Sequence, residues 1–251
     1  MNILLVGMYG HMGQQVVKLA NAGLRGASVI LGVDPGAPEG DARCAKSFAQ
    51  AEVPALSQVD CIVDFSHHST AFDLVNFAVA HKLPLIVATT GHTPEEAAMI
   101  RAAGEQIPVF FSANMSLGIA LLVELAKKAA AAMPDAEIEI IEKHHDRKLD
   151  APSGTALMLS DAICQVRPEA YPVCGRSGQG KRTPQEIGIH AIRMGNIVGE
   201  HEVIIGTQSQ TLTLRHEAHD RALFAEGAIA AAQFLMGKLA GLYSMADIVK
   251  G

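Results

Sequence analysis

The chain has 251 residues, 49% of them hydrophobic and 18% charged, the composition of a folded protein with room for one large core or two smaller ones. A formal net charge of −6 argues against a general nucleic-acid binder, whose footprint is basic. No apolar run approaches the roughly 18–20 residues that span a bilayer, the start MNILLVG lacks the marks of a signal peptide, and Cys44, Cys61, Cys164 and Cys174 are scattered without a CxxC pair, so a cytoplasmic protein with reduced thiols and no membrane contact is expected.

Along the chain, Asn2–Val6 reads as a short apolar strand and Met12–Asn21 as a helix. Strands follow at Ser28–Val33 and Cys61–Phe65, then a helix from Ser69 to His81, a strand at Leu85–Val87, a helix over Thr93–Ala103 and a strand at Val109–Phe111. Such alternation with short connections predicts an α/β fold built on a doubly wound parallel sheet. The pattern changes near Met115. A long helix is predicted over Leu117–Met133, then a strand over Ala136–Glu142 whose alternation (Glu137, Ile138, Glu139, Ile140) marks one wet face. A charged loop leads to a helix over Thr155–Val166. Beyond the Gly- and Arg-rich segment Gly175–Thr183, the likeliest place for mobility, come strands at Ile187–Ile192, Glu202–Ile205 and Gln210–Ala218. This part reads as α+β with a mixed or antiparallel sheet. The last helix, Ala222–Lys238, is Ala-rich and suits packing on either part. The expected division is 1–114 with 222–251, and 115–221.

Gly7-Met8-Tyr9-Gly10-His11-Met12-Gly13 lies between the first strand and the first helix. Glycines there allow a tight turn and close approach of a pyrophosphate to backbone N–H groups. The spacing is GxxGxxG, a weak signal by itself, and the bland alternative is a glycine-rich turn without a nucleotide. Asp34, 21 residues past Gly13, ends the second strand where an acid should bond ribose hydroxyls. Pro35-Gly36-Ala37 follows, with no neighbouring base for a 2′-phosphate, so NADH should bind better than NADPH. Thr89-Thr90-Gly91 and Ser112-Ala113-Asn114 sit at further strand ends, where open α/β sheets bind ligands.

The densest chemistry lies in Glu142–Thr155, EKHHDRKLDAPSGT. His144 and His145 can transfer protons near neutral pH and point in different directions. Lys148 can donate a proton or bind a carboxylate. Ser153, Gly154 and Thr155 can form an anion-binding nest at a helix start. The set suits a small substrate with carboxylates that needs a proton. His67-His68 and the trio His201, His216 and His219 lack ligand spacing, so no metal is expected and hydrogen-bonded or surface roles are the default.

Together these residues resemble the 4-hydroxy-tetrahydrodipicolinate reductase family, formerly called dihydrodipicolinate reductase. The resemblance spans nearly the whole chain. It rests on the Gly7–Gly13 turn, Val63-Asp64-Phe65-Ser66, Thr89-Thr90-Gly91, Ala113-Asn114-Met115-Ser116, the HHxxKxDAPSGTA element from His144, Glu186 to His190 and Ile197 to His201. It implies a Rossmann-like domain completed by the C-terminal helix, a second substrate and oligomerisation domain, a homotetramer, and reduction of a cyclic imine dicarboxylate by NADH or NADPH in lysine and diaminopimelate biosynthesis. By position it implies that His144 donates and accepts a proton, that Lys148 is a second proton donor, and that His145, Gly154 and Thr155 bind substrate. Gly7, Met8, Tyr9, Gly10, His11, Met12, Asp34, Ala88, Thr89, Thr90, Ser112, Ala113, Asn114 and Met115 fall on the family's dinucleotide contacts. Arg221 matches a basic hinge residue. The chain departs from the common pattern at His11 and Pro35, where Arg occurs in other members, and at Ala88, Met115 and Asn196. Competing readings are another two-domain nicotinamide oxidoreductase, and a non-catalytic NAD(H) sensor, for which no DNA-binding helix is visible.

Overall fold

The computed structural model describes residues 1–51 and 53–250. In chain order the elements are β1 (Asn2–Val6), α1 (His11–Asn21), β2 (Ser28–Val33), β3 (Cys44–Ala45), β4 (Cys61–Asp64), α2 (Ala71–His81), β5 (Leu85–Val87), α3 (Pro94–Ala103) and β6 (Pro108–Phe111). They continue with α4 (Leu117–Ala132), β7 (Glu137–His144), α5 (Gly154–Val166), β8 (Tyr171–Cys174), β9 (Glu186–Arg193), β10 (Gly199–Gly206), β11 (Thr211–Ala218), α6 (Ala222–Leu235), β12 (Gly241–Tyr243) and α7 (Met245–Lys250). The chain divides into two compact units, Met1–Ser116 with Ala222–Gly251, and Leu117–Arg221.

The first unit holds a parallel sheet in the order β12-β6-β5-β4-β1-β2-β3. Period-two alternation splits each strand between two faces. Leu4, Val6, Ile62, Leu85, Val87 and Val109 share a core with Leu74, Phe77 and Ala78 of α2 and Ile100 of α3. That leaves Ile3, Leu5 and Ile86, all without exposed surface, for the other face. There α6 runs against β4, β5 and β6 and packs on α1. Its alanines and Gly227 permit that closeness: a Cβ at 227 would collide with the Met115 carbonyl oxygen. So the last helix belongs with the first unit. It stops at Leu235, short of Lys238, because Gly237 turns the chain with φ 76°. Helix α3 starts where TPEE predicts it, with Thr93 and Glu96 capping each other's backbone N–H at 3.2 and 2.8 Å.

The second unit is built on a mixed sheet in the order β11-β10-β7-β9-β8. Strands β7, β9 and β8 pair in parallel, while β10 is antiparallel to both β7 and β11. Ile138, Ile140, Ile187, Ile189, Val203 and Ile205 join Ile119, Leu122 and Ala126 of α4 and Leu159 and Ile163 of α5 in one core. Three strands escape the periodicity reading. β3 has two residues, β12 has three, and β8 carries Pro172, which suits an edge and cannot complete a ladder. Among the described residues no helix is long and apolar enough to cross a membrane.

Candidate active site

In the first unit every loop singled out by the sequence leaves the carboxyl end of a parallel strand, so all lie along one edge of the sheet. Gly7 turns with φ 78°, and its N–H donates to the Val33 carbonyl at 2.9 Å. A Cβ at Gly13 would collide with the Gly7 carbonyl oxygen, so the glycine lets α1 start against the turn. Asp34 clamps this turn, accepting from the Tyr9 N–H at 2.8 Å and from the Gly36 N–H at 2.7 Å. The hydroxyl of Tyr9 donates to Asp41 at 2.5 Å, which depresses the Asp41 carboxyl and raises the phenol.

Beside the turn is a cavity of about 790 Å³ lined by Gly7, Gly10, Asp34, Pro35, Lys46 and Phe48 on one side and by Ser66, Thr70 and Phe77 on the other. The size, the glycine cradle and the acid at its wall fit the adenosine half of a dinucleotide. Lys46 is the residue that reading near Asp34 missed. Pairing of β2 with β3, with the Asp34 N–H on the Ala45 carbonyl at 2.9 Å, brings it into the same cavity. The side chains of Met8 and Met115 are buried, so they serve packing and leave only backbone to a ligand. His11 and Thr90 are exposed, while Met12 is half-buried. Ala88 donates its N–H to the Asp64 carbonyl, and the Ser112 hydroxyl donates to the Asn114 carbonyl at 2.8 Å, fixing the loops after β5 and β6. Thr89 is buried with its hydroxyl unpartnered, as is one oxygen of Asp64. Burial raises the Asp64 carboxyl, against the hydrogen bonds that the Ser66 N–H and hydroxyl donate to its other oxygen.

In the second unit β7 carries the unexpected feature. Ile138, Ile140, Glu142 and His144 alternate onto its buried face, so two polar groups end an otherwise apolar row. His144 is therefore the last residue of the strand and not part of the charged loop that the sequence predicts. Glu142 has no exposed surface. Its Oε1 accepts from the Ser153 N–H at 2.9 Å and from Arg193 Nη2 at 2.6 Å. Its Oε2 accepts from Arg193 Nη1 at 2.7 Å and lies 2.6 Å from His144 Nδ1. Burial alone would push this carboxyl up, but the bonds from Arg193, His144 and Ser153 together hold it below the usual glutamate range. Arg193 also donates to the Asp150 carbonyl at 2.6 Å, tying β9 to the loop before α5.

Ser153 caps α5, its Oγ accepting from the Ala156 N–H at 3.3 Å and lying 3.0 Å from His201 Nε2. His201 on β10 is 4% exposed and is pushed down to about 4, first by burial and then by the His144 charge. Its ring stands edge-on to that of His144 at 5.2 Å. A Cβ at Gly199 would lie 3.1 Å from His144 Nε2, so the glycine leaves β10 room to pack beside the imidazole. His145 turns the other way, with its N–H on the Ile197 carbonyl at 2.8 Å. Burial and then the charges of Arg147, Arg221 and His144 lower it. Lys148 pairs with Asp150 at 2.7 Å. Thus His144, Ser153 and the start of α5 are drawn together, and Glu142, Arg193, His201 and Gly199 complete a group that motif reading left without roles.

Two family models match the chain: "Dihydrodipicolinate reductase, N-terminus" over residues 1–115 and "Dihydrodipicolinate reductase, C-terminus" over residues 118–249. A 4-hydroxy-tetrahydrodipicolinate reductase of Caldanaerobacter subterraneus subsp. tengcongensis is 43% identical, covering 99% of this chain and 98% of its own length. One from Clostridium tetani is 40% identical over 97% of this chain and 94% of its own. A dipicolinate-bound dihydrodipicolinate reductase from Paenisporosarcina sp. TG-14 superposes with a TM-score of 0.79 at 23% identity, covering 98% of both chains.

Proposed function

We infer that the chain, which belongs to the dihydrodipicolinate reductase family, carries out the reaction its full-length relatives are named for. It is a nicotinamide-dependent oxidoreductase of lysine and diaminopimelate biosynthesis that converts 4-hydroxy-tetrahydrodipicolinate, a cyclic dicarboxylate, to tetrahydrodipicolinate: the ring hydroxyl leaves as water, and a hydride and a proton are added. The observation that carries the site assignment is the buried row ending in His144 beside a capped helix start.

The Gly7–Gly13 turn and Asp34 hold the dinucleotide, with Ala88, Thr89, Thr90 and Ser112–Met115 along the same strand edge. When bound, the reduced nicotinamide supplies the hydride. The substrate is a dianion, and the second unit offers it cationic and N–H groups: His145, Lys148, and Ser153, Gly154 and Thr155 at the positive end of α5. His144, through Nε2, or Lys148, through Nζ, protonates the carbon or nitrogen that gains electron density. NADH is the preferred cofactor, because the Asp34 carboxylate repels a 2′-phosphate. Lys46, in the same cavity wall, offsets part of that repulsion, so NADPH is used as well. The assembly proposed is the homotetramer that the family resemblance implies.

The test is NADH oxidation at 340 nm with substrate freshly made from pyruvate and aspartate semialdehyde, repeated with NADPH. Rapid oxidation with both, faster with NADH, is expected. Lys46→Ala should widen that gap, and His144→Ala or Lys148→Ala should cut turnover by about 100-fold or more while cofactor binding is kept. An His144→Ala or Lys148→Ala variant with near-normal turnover would remove that residue from the mechanism.

A further inference from the structure

We propose that Glu142, braced by Arg193, is the positioning residue for proton transfer: it fixes the tautomer and orientation of His144 and, through the same carboxylate, holds the helix start that receives the substrate. The proposal rests on the reading of His144 as a proton carrier, and it extends that reading to two residues in β7 and β9.

The geometry leaves little freedom. An ionised carboxylate only accepts. With Oε2 at 2.6 Å from His144 Nδ1, the hydrogen of that contact is on the imidazole. His144 therefore presents Nε2, the nitrogen that Glu142 does not engage, as the atom that exchanges a proton. The other oxygen takes the Ser153 N–H, so His144 and the cap of α5 hang on one rigid group. Arg193 binds both oxygens and also the Asp150 carbonyl, which leaves Glu142 no second rotamer with equal partners. A carboxylate with no exposed surface is costly to desolvate unless it is paired, and the partners of Glu142 offset that cost. The other charged or titratable groups around His144 leave Glu142 alone in this role. His201 stands edge-on and bonds Ser153, and Lys148 pairs with Asp150.

The experiment compares E142Q, H144Q and the double variant by steady-state kinetics, with thermal melting as a check on folding. Glutamine keeps a carbonyl oxygen for Ser153 but offers an amide N–H to His144, which selects the opposite tautomer. We expect E142Q to lower kcat by about 100- to 10,000-fold, the range seen when the carboxylate behind a catalytic histidine becomes an amide. KM for the dicarboxylate should change by less than about threefold, because the Ser153 contact persists, and NADH binding should not change. The double variant should be no slower than H144Q, because Glu142 acts through His144. An E142Q enzyme with normal kcat beside an inactive H144Q overturns this proposal and leaves the role of His144 standing. Losses that multiply in the double variant overturn it also. An active H144Q sinks both. If E142Q fails to fold, the ¹⁵N–¹H correlations of the histidines in the unaltered protein decide. A hydrogen on Nδ1 of His144 is required, and its absence overturns the proposal.

Discussion

His201 shows how one buried side chain writes itself into the pH dependence of the whole protein. Its folded form is neutral, since burial among the groups of β7 and β10 holds it at about 4, against 6.5 for an ordinary histidine. Between those two values the unfolded chain binds a proton that the folded chain refuses. Stability therefore rises with pH across that window and is lost as pH falls from 6.5 to 4. The full shift corresponds to about 3 kcal/mol. His201→Gln keeps a group able to bond Ser153 but does not titrate. Urea unfolding as a function of pH should show the loss between pH 6.5 and 4 reduced by about 2–3 kcal/mol relative to the unaltered protein, and an unchanged slope would mean that His201 takes up a proton while folded. What sequence alone conveys at this scale is uneven. The histidines and lysine after β7 stand out by type and by the Pro-Ser-Gly-Thr turn that follows. Glu142 does not, because a glutamate on an alternating strand reads as the wet face. Only by counting Ile138, Ile140, Glu142 and His144 in steps of two does it fall on the buried row, and its partner Arg193 lies 51 residues away on a neighbouring strand. Lys46 is hidden for the same reason: sequence places it twelve residues past Asp34, and sheet pairing places it in the same cavity.

At the scale of the element, the βα turn from β1 into α1 is set by what its glycines exclude. A methyl at position 13 would run into the Gly7 carbonyl oxygen and come within 2.8 Å of that of Met8. Both are backbone atoms, so relief requires moving the helix start or the turn. Gly13→Ala should cost about 1–3 kcal/mol, the range for forced overpacking. It should also weaken NADH binding by more than tenfold, since the same backbone is the phosphate cradle. Calorimetry with NADH checks both effects, and normal affinity would show that the turn can open without cost. The long elements of this half are legible because each has many residues to carry its period. The short strands β3 and β12 are not: two or three residues contain no period, and neither is the wholly aliphatic run that marks the equally short β5, so only pairing with β2 and β6 makes them strands. The end of α6 was likewise set by Gly237, a local conformational choice that the run of alanines obscures.

At the scale of the molecule, the first unit is closed by a segment that follows the second unit in sequence. Helix α6 has eight buried residues, Ala225, Gly227, Ala228, Ile229, Ala230, Ala231, Ala232 and Leu235, and they cover the sheet face that carries Ile3, Leu5 and Ile86. Small side chains bring the helix backbone close, so it is matched to that surface in a way that another amphipathic helix would not be. Removing 222–251 also takes away β12, which pairs with β6 at one edge of the parallel sheet. A chain ending at Arg221 would leave that face and that edge open to water. The core of the second unit, by contrast, draws its buried residues from 119–205 and loses none of them. Truncation after Arg221 should therefore abolish NADH binding and the cooperative melting of the first unit. Amides of Ile138, Ile140 and Val203 should remain protected from hydrogen exchange. Hydrogen-exchange mass spectrometry with and without NADH separates the two halves. If the truncated chain still bound NADH with unchanged affinity, α6 would be an accessory to the dinucleotide fold. Loss of protection in both halves would mean that the second unit cannot hold its core without the first.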